Sequence, residues 1–385
     1  MQEGRHAAAA LNGPLGDGLQ IHVTKCFLPP IGDYERLLGQ VWQSGQLTNN
    51  GELVRRLESS LAPWHGTKEV LFVGNGTIAL QLAIKALDLT GEIITTPFSY
   101  AASTTAILWE GCTPVFADID PRTFCIDPDK VVTKIGPRTS AILATHVYGV
   151  PCDVDRLERI AEEHGLKLIF DAAHAFGTQF QGSSLLCRGD VSTCSFHATK
   201  LFHTVEGGSV VTKDSLVMRR LRLMRAFGHM NDDHILPGIN GKNSEFHAAM
   251  GLAVLPYMEG ILERRAHQWT RYRGHFQDTG RSLISIPSDT RYNHAYFPVL
   301  FNDERQLGLV LEGLMAQGIY PRRYFYPSLS KLPYLRSADA CPVAEDLARR
   351  VLCLPMFHDL SDELIDRISE QINQMCGAEG MPGVP

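Results

Sequence analysis

The chain has 385 residues, of which 44% are hydrophobic and 20% are charged. This length and balance predict a soluble globular protein with a large domain and a second, smaller one. Its 36 basic and 42 acidic residues give a net charge of −6, so the basic excess typical of nucleic-acid binding is missing. No apolar stretch approaches the roughly 18 residues of a membrane span, which disfavours a membrane partner.

The first part of the chain, residues 1–20, is predicted to be a disordered tail. From about Glu69 to Thr212, short apolar runs alternate with amphipathic stretches, a rhythm that predicts a mostly parallel sheet with right-handed crossovers. The clearest helix is predicted between Asp153, a good N-cap residue, and Gly165, which ends it before the strand LKLIF.

After the sheet, the segment SLVMRRLRLMRAFG and a long segment from about Ser244 are predicted to be helical, with a break at Pro256. The remainder contains a strand within HAYFPVLF, a helix from Glu304 and a last helix capped by Ser361, which fits a small α+β domain. We therefore expect a large domain over residues 21–260 and a small C-terminal domain over residues 261–385.

The loop GNGTIAL is a candidate anion site. Gly74 and Gly76 follow a predicted strand and Thr77 opens a helix, so free backbone N–H groups and the positive end of the helix dipole face outward. The third glycine of a dinucleotide-binding pattern is replaced by Ala79, and no acidic residue follows at the usual distance, so a nicotinamide site is disfavoured. A tight turn without a ligand explains these glycines about equally well.

The segment LIFDAAHAFGT places Asp171 at the end of an apolar strand. In parallel sheets, the carboxyl ends of the strands are where ligands bind. A buried carboxylate there needs a cation or a hydrogen-bond donor. Taken alone, a capping role for Asp171 is favoured over a catalytic one.

The segment SFHATKLFHTVEGG places Lys200 on a short crossing between a strand ending near Phe196 and a strand beginning at Gly208. The apolar neighbours Leu201 and Phe202 predict a lowered pKa for its amine, which favours covalent bonding to a carbonyl group. Taken alone, a lysine in such a loop is usually a surface residue.

Together, an anion site, a strand-end carboxylate and a half-buried lysine are the parts that hold pyridoxal 5'-phosphate. The sequence resembles the DegT/DnrJ/EryC1/StrS sugar aminotransferases in seven motifs that occur in the family's order: GNGTIAL, TTPFSYAAS, THVYG, FDAAHAFG, SFHATKLFHTVEGG, GINGKNSEFHAAMG and LPMFH. The resemblance covers almost everything from Leu47 to the last helix. It implies an α/β protein of fold type I, with a mostly parallel sheet in the large domain and a small α+β C-terminal domain.

The resemblance also implies a role for each matching residue. Lys200 matches the catalytic lysine that bonds covalently to the cofactor, and Asp171 matches the partner of the pyridine nitrogen. The other implied cofactor-binding residues are the phosphate ligands Ser195, Gly76 and Thr77, the ring-stacking Tyr100, His174 near the ring hydroxyl, and Asn240, which matches an asparagine that reaches the phosphate from the neighbouring subunit. A homodimer with shared active sites follows from this last match.

The sequence departs from the family pattern at two positions. Val205 replaces the first glycine of K-x-x-x-x-G-E-G-G, and Lys242 replaces an arginine two places after Asn240. Neither change removes a residue with a cofactor role. Relatives that carry histidine in place of the lysine are dehydratases, so Lys200 disfavours that reaction.

For the reaction, the resemblance implies transfer of the amino group of L-glutamate to dTDP-4-dehydro-6-deoxy-D-glucose, giving dTDP-4-amino-4,6-dideoxy-D-glucose and 2-oxoglutarate. Arg323 and Tyr326, in PRRYFYP, are expected to bind the sugar nucleotide, although a packing role for the tyrosine is equally compatible. The alternatives are a C3 aminotransferase, a non-catalytic regulator that binds the same cofactor, and an NAD-linked oxidoreductase.

Other conspicuous residues favour structural roles. The fifteen histidines show no metal-ligand spacing, so no metal is expected. The nine cysteines lack C-x-x-C spacing, which indicates reduced, buried thiols in a cytoplasmic protein. Four arginines on one predicted helix are expected to form a solvated face: Arg219, Arg220, Arg222 and Arg225.

Overall fold

The computed structural model describes residues 20–277, 279, 281–335 and 339–377. The predicted tail lies outside these residues except for Gln20. The α-helices of the described chain are α1 Ile31–Ser44, α2 Glu52–His65, α3 Gly76–Ala86, α4 Ala101–Trp109, α5 Pro128–Val132, α6 Val154–His164, α7 Ser215–Met224, α8 Glu245–Val254, α9 Met258–Phe276, α10 Glu304–Met315, α11 Pro342–Arg350 and α12 Asp362–Gly377.

A seven-stranded sheet forms the centre of the described chain. Its strands are β1 Leu71–Val73, β2 Glu92–Thr95, β3 Thr113–Phe116, β4 Thr139–Thr145, β5 Lys167–Asp171, β6 Val191–Ser195 and β7 Gly208–Val211. They lie in the order β1-β7-β6-β5-β4-β2-β3. Only β7 runs antiparallel to its two neighbours, which confirms the predicted mostly parallel sheet.

The register of the central strands places polar residues together at one edge. Asp171, the last residue of β5, lies opposite Thr145 of β4 and Thr193 of β6. Because parallel strands end at the same edge, the side chains that follow β4, β5 and β6 converge there. Two buried apolar clusters pack on the sheet and fix this edge.

Helix α6 shows how local sequence sets an element's bounds. The Asp153 carboxylate accepts the Arg156 N–H at 3.3 Å at the start of the helix. Gly165 ends it with a φ of 64°, in the left-handed region that glycine tolerates best. The predicted apolar stripe is buried against the sheet, at Val154, Leu157, Ile160 and Ala161. Both predicted bounds are confirmed.

The C-terminal part contains a three-stranded antiparallel sheet of β8 Ser282–Leu283, β9 Phe297–Leu300 and β10 Val351–Leu354. The predicted break at Pro256 is confirmed, since a 3₁₀ turn at Leu255–Tyr257 separates α8 from α9. The predicted domain boundary at residue 260 falls inside α9, and the division itself stays a prediction. Three small sheets of two-residue strands complete the described fold. In two of them the strands pair one to one, Ile21–His22 with Ile319–Tyr320 and His229–Met230 with Asp233–His234. In the third, Gln179–Phe180 lies between Ser183–Ser184 and Thr290–Arg291.

The predicted solvated face of arginines is wrong for Arg225. Its side chain is buried, and its Nη1 donates to Glu58 Oε1 and to the Phe72 carbonyl, both at 2.7 Å. Arg225 follows the last turn of α7, where the chain turns back toward the sheet, so it no longer shares the exposed side of the helix. Arg220 and Arg222 form ion pairs near the surface.

Two further predictions concern buried cysteine thiols and the lack of membrane spans. All nine cysteines are free, but Cys26 and Cys376 are only half-buried, so the prediction of buried thiols fails at these two. In the described chain, every helix is too short or too polar to cross a bilayer.

Candidate active site

The ends of β4, β5 and β6 open into a cavity of about 490 Å³. Most of the predicted cofactor residues line it: Gly76, Thr77, Tyr100, Asp171, His174, Ser195 and Lys200. Asn240, Arg323 and Tyr326 do not. A larger groove of about 900 Å³ runs along α9 and contains none of these residues.

The start of α3 forms one wall of the cavity as an anion site. Asn75 caps the helix, and its Oδ1 accepts the Ile78 N–H at 2.8 Å. The N–H groups of Gly76 and Thr77 have no acceptor among the described residues, and they carry the positive end of the helix dipole. A Cβ on Gly76 would lie 2.9 Å from Ser195 Cβ, so only glycine lets the Ser195 hydroxyl stand beside the helix end.

Asp171 is buried at the end of β5, where two donors hold its carboxylate. The Ser103 hydroxyl donates to Oδ2 at 2.7 Å and the Ala173 N–H donates to Oδ1 at 3.1 Å. Burial raises the pKa of Asp171, while these donors and the Lys200 charge oppose that rise. No ion pair joins Asp171 to a basic side chain of the described residues, which leaves the carboxylate available to a cationic group of a ligand.

Lys200 lies on the crossing between β6 and β7, as predicted. Burial lowers the pKa of its amine, although Asp171 and Tyr324 act in the opposite direction. A lowered pKa increases the fraction of neutral, nucleophilic amine. Later on the same crossing, Val205 has a φ of 67° at the position where the family pattern has glycine.

His174 lies beside the lysine and is held in one tautomer. The Tyr148 N–H donates to its Nδ1 at 3.2 Å, so the proton of the neutral ring is on Nε2. Burial and the Lys200 charge lower the pKa of His174 well below its ordinary value. Its ring stacks on Phe325 with 5.7 Å between centroids and 2° between planes. His174 can therefore donate a hydrogen bond without carrying a charge.

Two predicted cofactor residues lie in open positions. Tyr100, at the N-cap of α4, is 65% exposed at the cavity. Asn240 is exposed and pairs through its backbone with Ala226, outside the cavity. Its implied role concerns a neighbouring subunit, and stays a prediction.

The segment PRRYFYP presents different residues to the cavity from those predicted. Arg323 pairs with Glu304 at 2.8 Å and lies over the Tyr326 ring, with its guanidinium carbon 3.5 Å from the ring centroid. Arg322 and Tyr324 line the cavity instead. Neither residue was predicted from the sequence, and Ser103 was not predicted either. A hydroxyl-rich run directly after a sheet strand was the available signal for Ser103.

A metal centre has no support in the described part of the chain, where no three histidine, cysteine or acidic side chains come together as potential ligands. The donors that do converge are N–H groups and a hydroxyl for an anion, a carboxylate for a cation and an amine for a carbonyl. This set fits a phosphorylated cofactor that has a basic ring nitrogen and an aldehyde, in line with the expectation from the sequence.

A mostly parallel sheet with one antiparallel strand, and a lysine on the crossing into that strand, define the fold type I of pyridoxal-phosphate-dependent transferases. Within this class, the chain belongs to the DegT/DnrJ/EryC1/StrS aminotransferase family, whose model matches residues 33–373. The resemblance predicted from the seven motifs is confirmed.

Several relatives match nearly the whole chain. A dTDP-4-amino-4,6-dideoxy-D-glucose transaminase of Shigella dysenteriae is 40% identical over 363 residues, which cover 92% of this chain and 99% of the relative. A transaminase of the same name from Escherichia coli is 38% identical, with 91% and 97% covered. The crystal structure of DesI in the presence of its TDP-sugar product is similar with a TM-score of 0.89 at 37% identity, covering 96% of this chain and 97% of that one.

Proposed function

We propose that this chain transfers the amino group of L-glutamate to C4 of dTDP-4-dehydro-6-deoxy-D-glucose, with pyridoxal 5'-phosphate as cofactor. The products are dTDP-4-amino-4,6-dideoxy-D-glucose and 2-oxoglutarate. The observation that carries this proposal is the likeness, over nearly the full length, to two transaminases named for that amino sugar. The cavity that joins Lys200, Asp171 and the start of α3 supports it.

Each wall of the cavity has a proposed part in holding the cofactor. The N–H groups of Gly76 and Thr77 and the Ser195 hydroxyl would bind the phosphate, because these donors at a helix start have no acceptor within the described part of the chain. The Asp171 carboxylate would hold the ring nitrogen and favour its protonated form. Tyr100 stacks on the ring.

His174 and Lys200 complete this set. His174 donates from Nε2 to the ring hydroxyl, and its neutral state leaves the charge of the site unchanged. When bound, pyridoxal phosphate supplies an electron-withdrawing ring that makes the α-carbon proton of an amino acid acidic.

Lys200 has two successive tasks. Its amine would hold the cofactor covalently and would become free when the amino acid binds. Its free Nζ then accepts the α-carbon proton of glutamate, and in the second half-reaction it delivers a proton to C4 of the sugar. The lowered pKa of the amine favours the first of these transfers, since only the neutral amine is a base.

A basic side chain in the cavity would help to bind both substrates, because glutamate and the sugar nucleotide are both anionic. Arg322 lines the cavity with its guanidinium 5.6 Å from the Tyr324 ring centroid, and it has no ion pair with the described residues. We therefore add Arg322 and Tyr324 to Arg323 and Tyr326 as substrate-binding candidates. We also propose a homodimer in which Asn240 reaches the phosphate held by the neighbouring subunit.

The test uses the purified protein carrying its cofactor. Addition of L-glutamate is expected to convert the visible band to that of the aminated cofactor and to release 2-oxoglutarate. Separate additions of the 4-dehydro and 3-dehydro dTDP-sugars, with NMR of the product, then locate the new amine. An unchanged spectrum would favour the non-catalytic regulator, and an amine at C3 would favour the other aminotransferase.

The lysine assignment has a matched control. Lys200→Ala is expected to abolish turnover without changing the fold measured by circular dichroism. Lys213→Ala, at an exposed position just after β7, is expected to retain full activity. Borohydride reduction followed by peptide mapping should find the cofactor attached at Lys200, and a label on any other lysine would refute the assignment.

A further inference from the structure

Three buried hydroxyl groups form a chain that ends on Asp171. Thr145 Oγ1 donates to Ser99 Oγ at 3.2 Å, Ser99 and Ser103 share a hydrogen bond of 2.9 Å, and Ser103 Oγ donates to Asp171 Oδ2 at 2.7 Å. Each of the three side chains is at most 2% exposed. They come from β4, from the loop after β2 and from α4, so only the folded sheet edge brings them together.

The direction of these hydrogen bonds follows from counting protons. An ionised carboxylate only accepts, so the Ser103 proton is on the bond to Asp171. A hydroxyl has one proton, which means that Ser99 must donate to Ser103 and Thr145 to Ser99. All three O–H dipoles therefore point toward Asp171, and hydrogen bonds aligned in this way strengthen one another.

Helix capping does not explain this arrangement. Ser99 and Ser103 flank the start of α4, where hydroxyls commonly accept from free N–H groups. Tyr100 is the N-cap residue of α4, and among the residues that the structure describes no side chain caps this helix. The two serine hydroxyls bond to each other and to the carboxylate instead.

The other titratable groups around Asp171 do not provide a permanent positive charge that would keep its carboxylate ionised. Burial raises the pKa of Cys194 to about 12 and lowers that of His146 to about 3, so both are neutral near pH 7. His174 is neutral for the same reason. Lys200 favours the ionised carboxylate, but its charge changes whenever the amine is deprotonated or covalently bonded. The hydroxyl chain does not depend on any such change.

We propose that Ser103, supported by Ser99 and Thr145, keeps the Asp171 carboxylate ionised and oriented toward the cofactor's ring nitrogen. The three are positioning residues, since they act through Asp171. The orienting part of this inference rests on the proposed function, whereas the effect on the carboxylate belongs to the folded chain itself.

The test is a pH titration of the cofactor-free protein, labelled with ¹³C at the aspartate carboxyl carbons and followed by NMR. Asp171→Asn identifies the Asp171 signal by its loss. Ser103→Ala removes a charge-assisted hydrogen bond and is expected to raise the pKa of Asp171 by about 1 to 2 pH units. Ser99→Ala is expected to raise it by less, because it removes a donor one step away.

A matched control lies next to Ser103 on the same helix. Thr104 is fully buried, and its hydroxyl has no hydrogen-bond partner among the described residues. Thr104→Val therefore removes a buried hydroxyl without altering the hydrogen bonds among Thr145, Ser99, Ser103 and Asp171. It should leave the pKa of Asp171 unchanged. Thr145→Val removes the far donor with little change in shape, and should give a small rise.

The outcomes separate the parts of the inference. A pKa that does not respond to Ser103→Ala, or that responds equally to Thr104→Val, overturns the proposal. A response to Ser103→Ala alone overturns the supporting role of Ser99 and Thr145. If Ser103→Ala does not fold, Ser99→Ala carries the test, and an unchanged pKa in that variant overturns the proposal.

A second measurement uses the protein carrying its cofactor. Ser103→Ala is expected to lower kcat about tenfold with little change in KM, and Ser103→Thr, which keeps the hydroxyl, should restore it. A rise in KM with unchanged kcat would contradict a role through Asp171. Failure of the proposed function would instead show in the wild-type protein, as no spectral change with glutamate, while the NMR titration would remain valid.

Discussion

Replacing Gly76 by alanine tests the anion site at the start of α3. The new Cβ would lie 2.9 Å from Ser195 Cβ and 3.3 Å from its Oγ, well inside normal carbon–carbon contact. Ser195 is the last residue of β6, so the sheet holds its backbone in place. The serine side chain must therefore move away from the helix end, or the helix must shift.

The size of the effect follows from this overlap. Inserting a methyl group into a packed contact costs about 1–3 kcal/mol. We expect this cost to weaken the binding of pyridoxal phosphate by about 5- to 150-fold, since the displaced hydroxyl and N–H groups are its proposed ligands.

The assay is a titration of cofactor-free protein with pyridoxal phosphate, followed by absorbance, beside thermal unfolding without the cofactor. The control is Gly74→Ala in the same loop, whose new Cβ would meet nothing closer than 3.8 Å. We expect weaker binding for Gly76→Ala and wild-type binding for Gly74→Ala. Equal affinities for Gly76→Ala and the wild type would contradict a phosphate site at the start of α3.

Three further predictions concern other parts of the chain. Glu58→Gln should destabilise the protein by about 3–5 kcal/mol in urea unfolding, because it leaves the buried Arg225 guanidinium without a counter-charge, and a loss below 1 kcal/mol would contradict this. Arg322→Gln should raise the KM of glutamate or of the sugar nucleotide by about tenfold or more, while Arg323→Gln should raise it less because Arg323 pairs with Glu304, and the reverse order would favour Arg323 as the main substrate ligand. The pKa of Asp366 is lowered to about 2 by donors on α9, so its contribution is present above its ordinary pKa of 3.8 and is lost as the pH falls to about 2. Chemical unfolding of Asp366→Asn should therefore show a stability deficit at pH 7 that closes over that interval, and a deficit that persists at pH 2 would count against the ion pairs as its cause.

The position of the site was accessible from sequence because it depends on strand ends. Apolar runs locate the strands, and parallel strands end at one edge, so Asp171 and Ser195 could be placed together from their order alone. Lys200 follows from the same logic, as the basic residue on the crossing that leaves this edge. The antiparallel direction of β7 carries no such signal and was not predicted.

The first two helices were not predicted, and for the second of them part of the stabilisation is distant in sequence. Helix α2 begins after Gly51, which has no side chain to cap it. Glu245 supplies the cap, accepting the N–H groups of Leu53 and Val54 at 2.7 and 3.1 Å. A cap that comes from 192 residues further along the chain leaves no pattern in the local sequence.

The side chains of adjacent residues can point in different directions, and the sequence does not reveal which one faces the cavity. Arg322 exchanges two backbone hydrogen bonds with Cys353 of β10, and this pairing turns its side chain toward the cavity and that of Arg323 toward Glu304. The partnership of Ser103 with Asp171 likewise joins residues 68 positions apart. Such contacts depend on the assembled fold.

The proposed anion site at the start of α3 limits which residue types can serve as its N-cap at position 75. Aspartate, serine, threonine and asparagine all cap helices well, but aspartate would place a negative charge beside the proposed phosphate ligands. Asparagine satisfies the Ile78 N–H with a neutral amide oxygen and leaves the field of the helix end intact. The helix start can thus donate both to the Asn75 side chain and to the proposed anion, provided that the capping side chain is neutral.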